Sequence, residues 1–254
     1  MLHRTGIGRF HRDARLFLVT TFVAGAALSL YWIDFNLYLS SLGLSTATIG
    51  IISTVAAAAG AVIAFPASAA SDRFGRRAVI AGGIGVGLLA LVGLLWTEVP
   101  ALIAVFAALW SMGWQAFQVV QAPYLTEHSD TGHRNELFAL QYALQSVPNI
   151  IAAVLGAVVA SAIARVMGLD PDGPGTYRVI LVIMGALLIV ALATVTRLGD
   201  DRPKTVVGPR LRTYGEPAAF PPDPRRARAR FGLVIRDSGR FTRLLVPGLL
   251  ISVG

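Results

Sequence analysis

Six apolar stretches, each long enough to cross a bilayer, constrain this chain more than anything else in its sequence. They run over residues 16–39, 48–70, 78–96, 101–121, 137–164 and 178–196. A hydrocarbon core about 30 Å thick needs roughly 20 helical residues to span it. Lipid offers the backbone no hydrogen-bond partners, so each stretch must close its own bonds as a helix. The predicted fold class is an all-α polytopic membrane protein with six transmembrane helices.

Only 14% of the 254 residues are charged, against about 25% in a soluble domain. The net charge of +8 does not point to a nucleic-acid partner, because the arginines avoid the apolar runs and gather between them. The chain has no cysteine, which excludes disulfides and thiolate-held metals. His3, His11, His128 and His133 all lie in polar segments without metal-ligand company, so neither a metal nor a cofactor is expected. Ala24-Gly25-Ala26 resembles a signal-peptidase site, but the apolar run continues through Trp32 and Tyr38. The first stretch therefore reads as a retained helix.

The connections alternate in charge. Residues 40–47 and 97–100 are short and nearly uncharged, whereas the segments around Asp72, around Arg134 and after Arg197 carry arginines. Assigned to the two faces of a membrane, twenty Lys and Arg fall on the amino-terminal side and only Arg165 and Arg178 on the other. Without the long last loop the split is still 8 to 2. By the positive-inside rule the amino terminus is cytoplasmic, and the plasma (inner) membrane is the expected location.

Residues 198–243 hold six prolines and much of the charge, and read as a basic, Pro-rich cytoplasmic linker. Within it, Arg225 to Arg230 followed by Phe231, Leu233, Val234 and Ile235 fits a basic helix lying on anionic lipid. A solvated charge run that only keeps the loop inside is the competing reading. Residues 244–254 begin a seventh apolar run, eleven residues or about 16 Å of helix. The expected domain organisation is a six-helix bundle over 1–197, the linker, and the start of a seventh helix. On that reading the chain is the front part of a longer protein whose carboxyl-terminal half would be its main partner.

Polar side chains inside spans are costly in lipid and usually face a cavity. Asp34 is the one acidic residue within a span, in the outward part of the first helix. It reads either as a proton-titrating or cation-binding carboxylate or, with Tyr31, Trp32 and Tyr38 nearby, as part of an aromatic belt at the headgroups. Asn36 is close in sequence but lies on a different helical face. Gln115, Gln118 and Gln121 recur every three residues on span four, and Gln141, Gln145 and Asn149 every four on span five, so each set shares a face. Gln121 and Gln141, near the cytoplasmic ends, read as helix-to-helix glue. Gln115, Gln118, Gln145 and Asn149 lie deeper and are cavity candidates. Pro148 should bend span five. The pairs Gly83/Gly87 and Ala56/Gly60 have the small-xxx-small spacing of close helix contact.

Charge is most concentrated in Ser68-Ala-Ala-Ser-Asp72-Arg73-Phe-Gly75-Arg76-Arg77, between spans two and three. Gly75 permits a tight turn, and Asp72 sits where a carboxylate would meet the free amides at the start of the third helix. The three arginines can reach helix-end carbonyls or the carboxylates Glu127 and Asp130 after span four.

This stretch, in this topology, resembles the signature Gly-x-x-x-Asp-Arg-x-Gly-Arg-(Arg/Lys) of the major facilitator superfamily. The match falls on Asp72, Arg73, Gly75, Arg76 and Arg77. Ser68 replaces the first glycine, a small-for-small change that would slightly loosen close packing. The resemblance covers essentially the whole chain. It implies the amino-terminal half of a transporter, built as two three-helix repeats, with this loop acting in gating rather than substrate contact. It also implies secondary transport of a small-molecule substrate by alternating access, and Asp34 tilts the choice toward proton-coupled efflux. Uptake of a sugar or metabolite by a uniporter or symporter, and a non-transporting scaffold or sensor on the same fold, are the alternatives. No nucleotide-binding or hydrolase motif is present, so an enzyme is not expected.

Overall fold

The computed structural model describes residues 12–127 and 134–199. Those residues form six α-helices: α1 Arg12–Ser41, α2 Thr46–Phe74, α3 Arg76–Trp96, α4 Pro100–Glu127, α5 Arg134–Met167 and α6 Pro174–Val195. Each holds an apolar window of membrane-spanning length, and there is no strand among the described residues. Valines, leucines and isoleucines stand outward around the bundle: Val62 is 70% exposed, Leu89 64% and Val154 71%. Water would not tolerate apolar faces this extensive, whereas hydrocarbon does. Arg225 to Ile235, the linker beyond residue 199 and the seventh run at 244–254 lie outside the described residues.

The helix ends follow local chemistry. Ser45 caps α2, its hydroxyl accepting from the Thr48 amide at 3.2 Å, and Pro174 occupies the first turn of α6, where its missing N–H costs nothing. After α1 and α5 the chain turns through Gly43 and Gly168, both at positive φ. The expected spans are found, but the helices overrun them. α4 continues six residues past Gln121 because Tyr124 and Leu125 are fully buried, with the Tyr124 ring 4.7 Å from that of Phe17 on α1. Its 28 residues rise about 42 Å, well beyond the hydrocarbon. α5 runs unbroken through Pro148, just as α2 and α4 run through Pro66 and Pro123.

Packing reveals a repeat that the sequence does not display. α2 packs on α4 as α5 packs on α1; α3 packs on α4 as α6 packs on α1; and α3 meets α6. Exchanging α1–α3 with α4–α6 therefore maps the contacts onto themselves. Three crossings per unit make the second unit start from the opposite face, so the two repeats are inverted.

Close approach is set by glycine. A Cβ on Gly83 would lie 2.6 Å from the Gly113 carbonyl oxygen, and one on Gly60 would lie 2.5 Å from the Ser111 hydroxyl. The small-residue spacings on α3 and α2 thus mark the α3–α4 and α2–α4 crossings. Between α1 and α4 the filling is aromatic instead, with Phe17 against Phe117 and Tyr124, and Tyr31 stacked on Trp110 at 4.7 Å.

Candidate functional site

The arginine-rich stretch is split by one residue. Gly75 ends α2 and starts α3 with φ 94° and ψ 155°, a region essentially closed to any residue with a Cβ. α2 itself runs to Phe74, which corrects the expected place of Asp72. It lies in the last turn of α2 rather than ahead of α3, and α3 has no side-chain cap. Its carboxylate instead accepts from Arg76 Nη1 at 2.9 Å.

Arg76 is the hub of this end. Nη1 also donates to the Ser71 hydroxyl at 2.9 Å, while Nη2 and Nε donate to Glu127 at 2.9 and 3.3 Å. The Arg76 side chain is 19% exposed, against 69% for Asp72 and 48% for Glu127. Arg77 reaches across to the last turn of α6 and donates to the Thr196 carbonyl at 2.7 Å. Two adjacent arginines thus fasten together the ends of α2, α3, α4 and α6. Arg73 points away, over the Phe74 ring. Ser68 is exposed, so its hydroxyl loosens no contact within this bundle. Asp130 lies outside the described residues. Ser71 and Thr196 were not anticipated, because one is an unremarkable serine and the other contributes only its backbone.

The opposite end has its own ion pair, Arg178 on α6 with Glu98 in the α3–α4 connection, beside the Tyr38 ring hydroxyl. Tyr38 is fully buried and donates to the Leu94 carbonyl at 3.2 Å. Tyr31 packs inward on Phe35 and Trp110. The expected aromatic belt is therefore reduced to Trp32, which is 65% exposed.

Asp34 is 4% exposed and lines an otherwise apolar cavity of about 290 Å³ between α1, α5 and α6, walled by Ala26, Leu30, Pro148, Ile151 and Ile180. No described side chain bonds or pairs with its carboxylate. Asn36 lines a different cavity, also about 290 Å³, between α1, α2 and α4. The two residues are not brought together.

The glutamines form a ladder rather than two classes. Gln121 donates to Gln118, Gln141 donates to Gln121, and Gln145 donates to Gln118 at 3.1 Å. Gln118 and Gln145, expected in a cavity, thus join Gln121 and Gln141 in bridging α4 to α5. These two helices otherwise touch only lightly. α5 instead approaches α1, where a Cβ on Gly25 would lie 3.3 Å from the Gln145 backbone. Gln115 is half-buried and Asn149 exposed, and neither joins the ladder.

Residues 17–253 match the sequence profile of the Major Facilitator Superfamily. No curated protein matches the chain.

Proposed function

The chain belongs to the major facilitator superfamily of multi-pass membrane transporters, and from that premise we propose that it exports a small molecule by proton-coupled alternating access. In this reading the bundle is one of two six-helix halves that rock about a central cavity in the plasma membrane, with the arginine-bearing end in the cytoplasm. Arg76 and Arg77 together hold four helix ends as one block, so that the half moves as a unit, and the Asp72–Arg77 loop latches it against the second half. Glu127 is the inward partner of that latch, and Asp130 a further one.

The observation that carries proton coupling is Asp34, a carboxylate at 4% exposure in an apolar cavity with no cationic side chain beside it among the described residues. A charge left unpaired in such a place is costly, and taking up a proton removes that cost. Binding and release of one proton would alter how α1 seats against α5 and α6, which is the coupling that transport needs.

The experiment is pH-difference infrared spectroscopy of the intact protein in liposomes. A carboxyl stretch that responds to pH and vanishes in Asp34→Asn is expected. An unchanged difference spectrum in the variant overturns the proton-carrying role.

A further inference from the structure

A short stretch of α1, Tyr31 to Asn36, faces two chambers. Asp34 looks toward α5 and α6, whereas Tyr31, Trp32, Phe35 and Asn36 line the chamber toward α2 and α4. The second chamber differs in chemistry from the first. Phe35, Tyr31 and Trp110 form a stack of near-parallel rings, with centroids 4.5 and 4.7 Å apart and interplanar angles of 15° and 22°. Trp114 and Trp32 complete an aromatic lining.

Three polar side chains open into the same space: the Asn36 amide and the Ser53 and Ser111 hydroxyls. None of the three is bonded to another described residue, and no acidic or basic side chain is in the lining. The chamber is deep. Tyr31 lies ten residues from the end of α1 and Ser111 eleven from the start of α4, so both sit about 15 Å along their helices from the end opposite the Arg76 hub. Asn36 and Ser53 stand nearer that end, five residues from the end of α1 and seven from the start of α2. An unpaired hydroxyl as deep as that of Ser111 is costly in lipid unless it serves a cavity.

We propose that this chamber is the substrate site, and that it takes an uncharged, planar aromatic molecule bearing a hydrogen-bonding group. Flat rings are recognised by offset stacking on the walls, and the amide and hydroxyls fix the polar substituent. A volume of about 290 Å³, at the small end of ligand pockets, suits about two fused rings. Among the described residues of the lining, a permanent cation or a dianion finds no countercharge. This rests on the transporter reading above but separates cargo from proton: the cargo lies on one side of α1 and Asp34 on the other.

The absence of cysteine makes the test clean. Ser53→Cys places a thiol in the aromatic chamber and Ala152→Cys places one in the Asp34 chamber. In the intact protein in liposomes, N-ethylmaleimide labelling is followed with 1-naphthol, methyl glucoside or tetraphenylphosphonium present. We expect 1-naphthol to slow labelling at Ser53→Cys and not at Ala152→Cys. Adding Asn36→Leu, an exposed position with no protein partner, should raise the half-protecting concentration about fivefold. Protection at both thiols, which reports mere partition into lipid, overturns the proposal. So does protection by methyl glucoside or tetraphenylphosphonium alone, or by none of the three. The infrared response of Asp34 is independent of all these outcomes, so failure of the aromatic site and failure of proton coupling are told apart.

Discussion

The α3–α4 crossing is so close at Gly83 and Gly113 that the cost of one added methyl group can be worked out. In Gly83→Ala the new Cβ would stand 2.6 Å from the Gly113 carbonyl oxygen and 3.3 Å from the Phe117 amide nitrogen. A carbon–oxygen contact relaxes at about 3.3 Å or more, so the helices must part by roughly 0.7 Å at this point. Both neighbours are backbone, and no rotamer can turn away. Overpacking of this kind costs about 1–3 kcal/mol. Alanine also gains about 1 kcal/mol over glycine in a helix, which would blur a single measurement. Gly82→Ala supplies the reference, because a Cβ there meets nothing within 4 Å. The propensity gain is common to both variants, so their difference isolates the steric cost of about 1–3 kcal/mol. Gly113→Ala opens the same gap, and the double variant Gly83→Ala/Gly113→Ala should therefore cost less than the sum of the singles. Reversible denaturant titration of helix content in mixed micelles measures all four proteins. Equal stability of Gly83→Ala and Gly82→Ala would refute the claim that these helices touch through backbone.

Two further outcomes are expected. Gly75→Ala forces a side chain into φ 94°, ψ 155° and should destabilise the bundle by about 1–3 kcal/mol in the same titration; no loss would mean the α2–α3 corner relaxes freely. A double-mutant cycle on Arg76→Ala and Glu127→Ala should return a coupling of no more than about 1 kcal/mol, since Glu127 is half exposed. A larger transport defect than that figure explains would assign the pair to gating rather than to stability.

Hydropathy made the six helices legible, because lipid imposes one rule on every span. It did not reveal their ends. Tyr124 and Leu125 are buried against α1 beyond Pro123 and Gln121, which look like a terminus, and α2 persists through Asp72 to Phe74. Those four extra residues turned an expected helix cap into an ion pair. Arg76–Glu127 was within reach of topology alone, since both ends must emerge on one face. Arg77–Thr196 was not, because a backbone carbonyl leaves no trace in composition. Aromatic residues near a helix end carry the same signature whether they form a belt or a core, and so Tyr31 and Tyr38 misled. The period of the glutamines was legible, but whether an amide faces a cavity or another amide depends on a partner helix 20 or more residues away. Asp34 and Asn36 were separable by helical angle, yet only packing shows which chamber each one enters.

The inverted packing has a mechanical consequence. α3 is fastened to α4 backbone-to-backbone at Gly83 and Gly113, and α6 packs on α1 as α3 does on α4, with a hydroxyl pair between Thr20 and Thr194 at 2.7 Å. The α4–α5 boundary, in contrast, is bridged by the long side chains of four glutamines, and α1 and α2 are nearly as loosely joined. The bundle is therefore stiff in one direction and compliant in another, like a plywood board that flexes only across its grain. Load applied through α2 passes straight into α4, and load through α5 into α1, because those crossings are close, while the α1–α2 and α4–α5 boundaries are left free to give.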